Sequence, residues 1–84
     1  MNIRSVNFTF HAIKRFILRY EKSGFGKLDF HDANELLIEL LKNSEKFDKT
    51  ENFFNDETIR INKGWIFILS PDETVLLTVD KYQN

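Results

Sequence analysis

The spacing of apolar residues changes once along this chain of 84 residues, and that change restricts the fold more than any other feature. In residues 7–21 and 33–42 the apolar positions recur every three or four residues, which predicts two amphipathic helices. After residue 57 they alternate with polar residues or form short runs between turn residues, which predicts strands. We therefore predict an α+β fold in which two N-terminal helices pack on a three- to four-stranded antiparallel β-meander.

Capping residues indicate where both helices begin and end. Thr9 is expected to cap the first helix, because its hydroxyl can accept a hydrogen bond from a free amide of the first turn. That helix should end near Lys22, before a connector that contains two glycines. Asp29 or Asp32 can cap the second helix, which should end near Ser44.

Turns at Asn62-Lys63-Gly64 and Ser70-Pro71-Asp72-Glu73 separate the predicted strands, which cover residues 58–61, 65–69 and 74–80. Residues 65–69 are apolar on both faces, which suits a central strand covered by helices on one side. Phe53-Phe54 can end an earlier strand, followed by a turn at Asn55-Asp56. Residues 2–8 form either a short edge strand or an extended lead-in. In the last strand, strict alternation places Val75, Leu77 and Val79 on one face and Leu76, Thr78 and Asp80 on the other.

The composition predicts one soluble, cytoplasmic domain over residues 1–84. A hydrophobic share of 42%, with nine phenylalanines, is enough for a core without disulfide support. The absence of cysteine excludes disulfide bonds and thiolate metal sites, and it is compatible with the cytoplasm. The N-terminus lacks the pattern of a signal peptide, and no apolar run reaches the roughly 20 residues of a membrane helix. We therefore expect no membrane contact.

The net charge of −1 hides an uneven distribution of charged residues. Residues 1–27 contain six basic residues and one acidic residue, whereas residues 28–58 contain nine acidic residues and three basic ones. A basic first helix can attract phosphate groups. Alternatively, the basic and acidic helices complement each other electrostatically.

The first helix carries the main candidates for function, which are His11, Arg15 and Arg19 at four-residue spacing. On a helix these side chains share one face, and Phe16 and Tyr20 lie on the other side. A histidine can act as an acid or base, and an arginine presents a fork of donors to phosphate oxygens. The alternative is a solvated polar face with no site.

Further candidates come from the same helix and from the strands. Lys14 and Arg60 are candidate substrate contacts, since both are cations on predicted polar faces. Thr78 lies on the less apolar face of its strand, and Trp65 and Tyr82 can stack a base. The two histidines lie far apart in the chain and no HExxH or similar motif is present, so we expect neither a metal nor another cofactor.

The segment FTFHAIKRFILRY resembles the opening T-x-H-A-x-x-R-x-x-x-R of small prokaryotic and phage domains related to the RelE and BrnT toxins. These belong to the ribonuclease fold shared by barnase, EndoU and colicin-type toxins. The segment VLLTVDKY is similar to the closing strand of that group. The residues that carry the resemblance are His11, Ala12, Arg15, Arg19 and Thr78.

This resemblance implies a metal-independent endoribonuclease toxin that acts on RNA phosphodiesters and pairs with an antitoxin. His11 would be the acid and base, Arg15 and Arg19 would bind the phosphate, and Thr78 would position it. A catalytic site on the helix also requires that Thr78 and Arg60 approach it from the sheet. The acidic stretch of residues 29–57 departs from the family pattern.

Two other classes of function stay open at this point. One is a non-catalytic phage or prophage protein that binds and inhibits a host protein. The other is a nucleotide-binding or nucleic-acid-binding module, whose binding should depend on salt and on Arg15 and Arg19.

Overall fold

The structure is a computed structural model that describes residues 2–47 and 57–82. It confirms the α+β class, with both helices ahead of most of the sheet. After a 3-10 turn at Ile3–Ser5, the elements are β1 (Asn7–Phe8), α1 (Phe10–Lys22), α2 (Phe30–Lys42), β2 (Glu45–Lys46), β3 (Thr58–Asn62), β4 (Trp65–Leu69) and β5 (Val75–Lys81). Within the described residues these strands form one five-stranded sheet in the order β1-β5-β4-β3-β2.

Thr9 caps α1, as predicted, and also joins the helix to the sheet. Its Oγ1 accepts a hydrogen bond from the Ala12 amide at 3.0 Å, which satisfies one free donor of the first turn. The same hydroxyl donates to the Leu76 carbonyl oxygen on β5, also at 3.0 Å. One side chain therefore sets both where α1 begins and how it lies against β5.

Asp29 is the cap of α2, so the structure selects it over Asp32. The Asp29 carboxylate accepts a hydrogen bond from the Asp32 amide at 2.7 Å.

None of the helices in the described ranges has the length and apolar character needed to cross a membrane.

The sheet is mixed and has five strands within the described residues, so the prediction of a three- to four-stranded, purely antiparallel meander was wrong. β1 pairs in parallel with β5, with Asn7 opposite Val75 and Phe8 opposite Leu76. The pairs β2–β3, β3–β4 and β4–β5 are antiparallel. A strand of two residues has no measurable period, which explains why the sequence pattern left the role of residues 2–8 open. The predicted strand end at Phe53-Phe54 and the turn at Asn55-Asp56 lie outside the described residues.

The connection between β3 and β4 is a tight turn, whereas the pairing between β4 and β5 contains an irregularity. Lys63 and Gly64 have φ angles of 51° and 84°, which match a two-residue type I′ hairpin between β3 and β4. Between β4 and β5 the pairing shifts, so that Ile68 faces Thr78 while Leu69 faces Leu76. This β-bulge breaks the strict alternation predicted for β5.

The bulge decides which β5 residues enter the core. Leu76 and Val79 are both buried, although strict alternation had placed them on opposite faces. Trp65, Phe67 and Leu69 of β4 are buried with them, which confirms that β4 is a central strand covered by helices on one side. The full buried core consists of Ala12, Phe16, Ala33, Leu37, Leu40, Leu41, Trp65, Phe67, Leu69, Leu76 and Val79.

Candidate functional site

The outward surface of α1 carries two rows of side chains at four-residue spacing. One row is Phe10, Lys14, Leu18 and Lys22, and the other is His11, Arg15 and Arg19. A helix rises about 6 Å and turns by about 40° over four residues, so each row winds gradually around the helix. An open groove of about 510 Å³ is lined by His11, Lys14, Arg15, Leu18, Arg19 and Lys22. We call this surface the α1 groove.

The α1 groove contains four permanent cations from one helix, and one carboxylate approaches two of them. Arg19 Nε lies 3.3 Å from Asp80 Oδ1, and Arg15 Nη2 lies 3.8 Å from Asp80 Oδ2. The Asp80 side chain is 46% exposed, and those of Arg15 and Arg19 are 38% and 29% exposed. Solvent therefore screens both ion pairs, and each is worth only about 0.2–1 kcal/mol.

This arrangement is chemically informative, because Asp80 occupies a position that suits other oxygen anions. A carboxylate and a phosphate both accept hydrogen bonds from a guanidinium group through two oxygens. Asp80 thus marks the place where Arg15 and Arg19 converge on one anionic group. Strict alternation places Asp80 on the same strand face as Thr78, and no role was predicted for it. A cluster of cations with no assigned counter-ion was the signal that could have identified it.

His11 lies at the N-terminal end of the α1 groove, in the first turn of the helix. Its side chain is exposed, and within the described residues its ring has no hydrogen-bonding partner. The ring is therefore accessible to a ligand in the groove, but no carboxylate or carbonyl in those ranges orients it. An acid or base role would depend on the ligand to set the ring position.

Arg60 does not approach the α1 groove, because neighbouring groups already bind its guanidinium. Its Nε donates to Ser44 Oγ at 2.8 Å, and its Nη2 donates to the Ser44 carbonyl oxygen at 2.9 Å. Its Nη1 forms an ion pair with Glu73 Oε1 at 3.0 Å. Arg60 is paired with the buried Phe67 in the sheet, so it lies on the helix-facing side, contrary to the prediction of a polar face. Its contacts join the end of α2 to the β4–β5 turn.

Thr78 and Tyr82 also lie outside the α1 groove. Thr78 is paired with Ile68 on the sheet face opposite the buried residues of β4. Tyr82 is exposed and lines a separate concavity of about 720 Å³ where β2, β3 and β4 meet. Trp65 is buried against Phe16, with ring centroids 4.7 Å apart, so it has no free face for a base.

Among the eight candidate residues, the structure therefore gathers four and separates four. His11, Lys14, Arg15 and Arg19 line one groove. Thr78, Arg60, Trp65 and Tyr82 lie elsewhere. The approach of Thr78 and Arg60 that was required of a catalytic site on the helix is therefore not observed. Within the described ranges, no group of three or more histidine, aspartate or glutamate side chains could hold a metal ion.

Comparison of this chain with protein-family models, with curated proteins and with solved structures finds no match. The resemblance to the RelE and BrnT toxins therefore stays a hypothesis.

Proposed function

We propose that this protein binds RNA through phosphate contacts in the α1 groove. The observation that carries the proposal is the convergence of Arg15 and Arg19 on one oxygen anion, the Asp80 carboxylate, with Lys14 in the same groove. Arginine binds phosphate with the same forked geometry that it uses for a carboxylate. A phosphate group can therefore displace Asp80 or share the guanidinium donors with it.

The distribution of charge directs an RNA strand to this groove. α2 carries exposed acidic residues, among them Asp32, Glu35 and Glu39, which repel phosphate. α1 carries its cations at a spacing of one helical turn, so successive phosphates can meet successive cations. Binding should therefore follow the axis of α1 and weaken steeply with salt, because bound phosphates release their counterions.

Fluorescence anisotropy with a short labelled RNA at several salt concentrations tests this proposal. Arg15→Ala and Arg19→Ala should each weaken binding several-fold at low salt and reduce the slope of log K against log salt by about 0.7. Lys27→Ala is the matched control, since Lys27 is an exposed cation outside the groove. Equal losses for Lys27→Ala and the arginine variants would contradict the proposal, as would absence of binding by the wild type at low salt.

A second candidate function is metal-independent cleavage of the bound RNA. Its support is the position of His11 in the groove, and the reaction has to proceed without Thr78 and Arg60, which do not approach the helix. His11 lines the same groove as Arg15, one helical turn away. In this reaction His11 accepts the proton of the ribose 2′-hydroxyl, whose oxygen then forms a bond to the adjacent phosphorus as the bond to the 5′-oxygen breaks. The protonated His11 then donates this proton to the departing 5′-oxygen, and the other product is a 2′,3′-cyclic phosphate. Arg15 and Arg19 stabilise the negative charge on the phosphoryl oxygens. The toxin interpretation and a cognate antitoxin depend on this activity.

Cleavage is tested by incubating labelled RNA with purified protein in EDTA. His11→Ala should abolish cleavage and leave RNA binding within about two- to threefold, since the substitution leaves the lysines and arginines of the groove in place. His31→Ala is the matched control, because His31 is also exposed in the first turn of a helix but lies on α2. Equal cleavage by wild type and the His11→Ala variant would sink the catalytic proposal and leave the binding proposal standing.

A further inference from the structure

Two exposed phenylalanines stack on each other at the N-terminal ends of the helices. Phe10 is the first residue of α1 and Phe30 is the first residue of α2. Their ring centroids are 5.2 Å apart with an interplanar angle of 30°. The Phe10 residue is nevertheless 66% exposed, and Phe30 is 44% exposed. Phe10 therefore keeps most of its surface accessible although its ring packs on that of Phe30.

This aromatic pair adjoins the α1 groove. Phe10 precedes His11 in the chain and lies four residues before Lys14, and both of those residues line the groove. Side chains four residues apart are neighbours on a helix surface. A strand bound in the groove can therefore reach the Phe10 ring without leaving α1.

Charge on the two sides of the pair defines where the strand can run. On the α1 side the neighbouring residues are His11 and Lys14, whereas the start of α2 contributes His31 together with the two carboxylates of Asp29 and Asp32. The acidic side repels phosphate. A phosphate backbone should therefore end its path along α1 at the aromatic pair, where an apolar surface is available to a base.

We propose that Phe10, supported by Phe30, stacks an unpaired nucleobase, which makes the ligand of the α1 groove single-stranded RNA. This inference rests on the proposed RNA binding and adds the class of RNA to it. A phenylalanine can stack on any base, because every base presents a π face, so the contact selects for unpaired bases and not for a sequence. In a duplex the faces of internal bases are already stacked, so Phe10 has no base to contact.

The test compares wild type, Phe10→Ala and Phe10→Leu by fluorescence anisotropy on three probes. The probes are a single-stranded RNA, the same strand in a duplex, and the same strand with abasic nucleotides. Phe10→Ala should bind the single strand about tenfold more weakly, the effect expected for loss of one stacked base. On the duplex and abasic probes, Phe10→Ala should bind as wild type does. Phe10→Leu keeps an apolar contact with Phe30 but lacks a π face, so it should resemble Phe10→Ala.

The outcomes separate this inference from the proposal on which it rests. If wild type binds no probe at low salt, RNA binding fails and the stacking inference fails with it. If wild type binds but Phe10→Ala or Phe10→Leu binds the single strand equally well, only the stacking inference is overturned. The same holds if Phe10→Ala weakens all three probes alike. Phe25→Ala serves as the control, because Phe25 is also exposed but packs on Tyr20 outside the groove.

Discussion

Replacement of Asp80 by asparagine tests whether the Asp80 carboxylate competes with a phosphate group for binding in the α1 groove. Asp80→Asn removes the negative charge that lies between Arg15 and Arg19. The substitution keeps an oxygen in place to accept the backbone hydrogen bond from Lys81 N, which measures 2.8 Å. The change is therefore almost purely electrostatic, and the local backbone of β5 should be preserved.

The structure sets the expected size of the change in stability and of the change in RNA affinity. The two ion pairs are partly exposed, so their loss should lower the free energy of unfolding by only about 1 kcal/mol in total. A phosphate entering the groove no longer competes with a carboxylate, which should improve binding by about 0.5–1 kcal/mol, or roughly two- to fivefold. The substitution also raises the net charge of the protein by one, so the slope of log K against log salt should steepen by up to about 0.7.

Anisotropy titrations of wild type and Asp80→Asn across a salt series measure these effects, with thermal unfolding as the check on stability. Glu35→Gln is the charge-matched control, since it removes one carboxylate from an exposed position on α2. If Asp80→Asn binds RNA more weakly than wild type, the reasoning is refuted. Asp80 would then hold the two arginines in the geometry that binding requires, and it would not compete with the ligand.

The other predictions concern stability. Arg60→Ala should lower the free energy of unfolding by about 2–3 kcal/mol, because it leaves the Ser44 and Glu73 acceptors without their charged donor. Denaturant unfolding measures this change, and an unchanged free energy of unfolding would contradict the prediction. Thr9→Ala should cost about 1–2 kcal/mol through loss of the α1 cap, and Thr9→Ser should restore most of it in thermal unfolding. Hydrogen bonds from Thr74 and Ser70 lower the pKa of Asp72 below its ordinary value of 3.8. The stability they contribute is present above that value and is lost as the pH falls through the lowered pKa. Asp72→Ala should therefore flatten the acid limb of a plot of melting temperature against pH, and parallel curves for the two proteins would refute this.

Features that depend on local interactions could be predicted from the sequence. The capping of α1 by Thr9 involves residues within one turn of the helix. The hairpin turn at Lys63-Gly64 depends on the backbone conformation of two adjacent residues. The helix periods identified α1 and α2, and the apolar run of β4 identified the central strand. In each case the determining contacts lie within a few residues, or follow directly from which face of an element is apolar.

Features that depend on contacts between distant segments were decided by the tertiary structure. The parallel pairing of β1 with β5, and the bulge that buries both Leu76 and Val79, depend on neighbouring strands. An alternation pattern assumes an unbroken ladder, so it cannot locate the extra residue of a bulge.

The candidate site divides in the same way. Four-residue spacing on one helix places His11, Arg15 and Arg19 together whatever the rest of the chain does, because the helix alone fixes their relation. Only the packed fold brings Asp80 to the two arginines and turns Arg60 toward Ser44. These contacts join residues far apart in the chain. They form because the packing of α1 and α2 on the sheet brings the partner groups within hydrogen-bonding or ion-pairing distance, and a local sequence pattern contains no information on that packing.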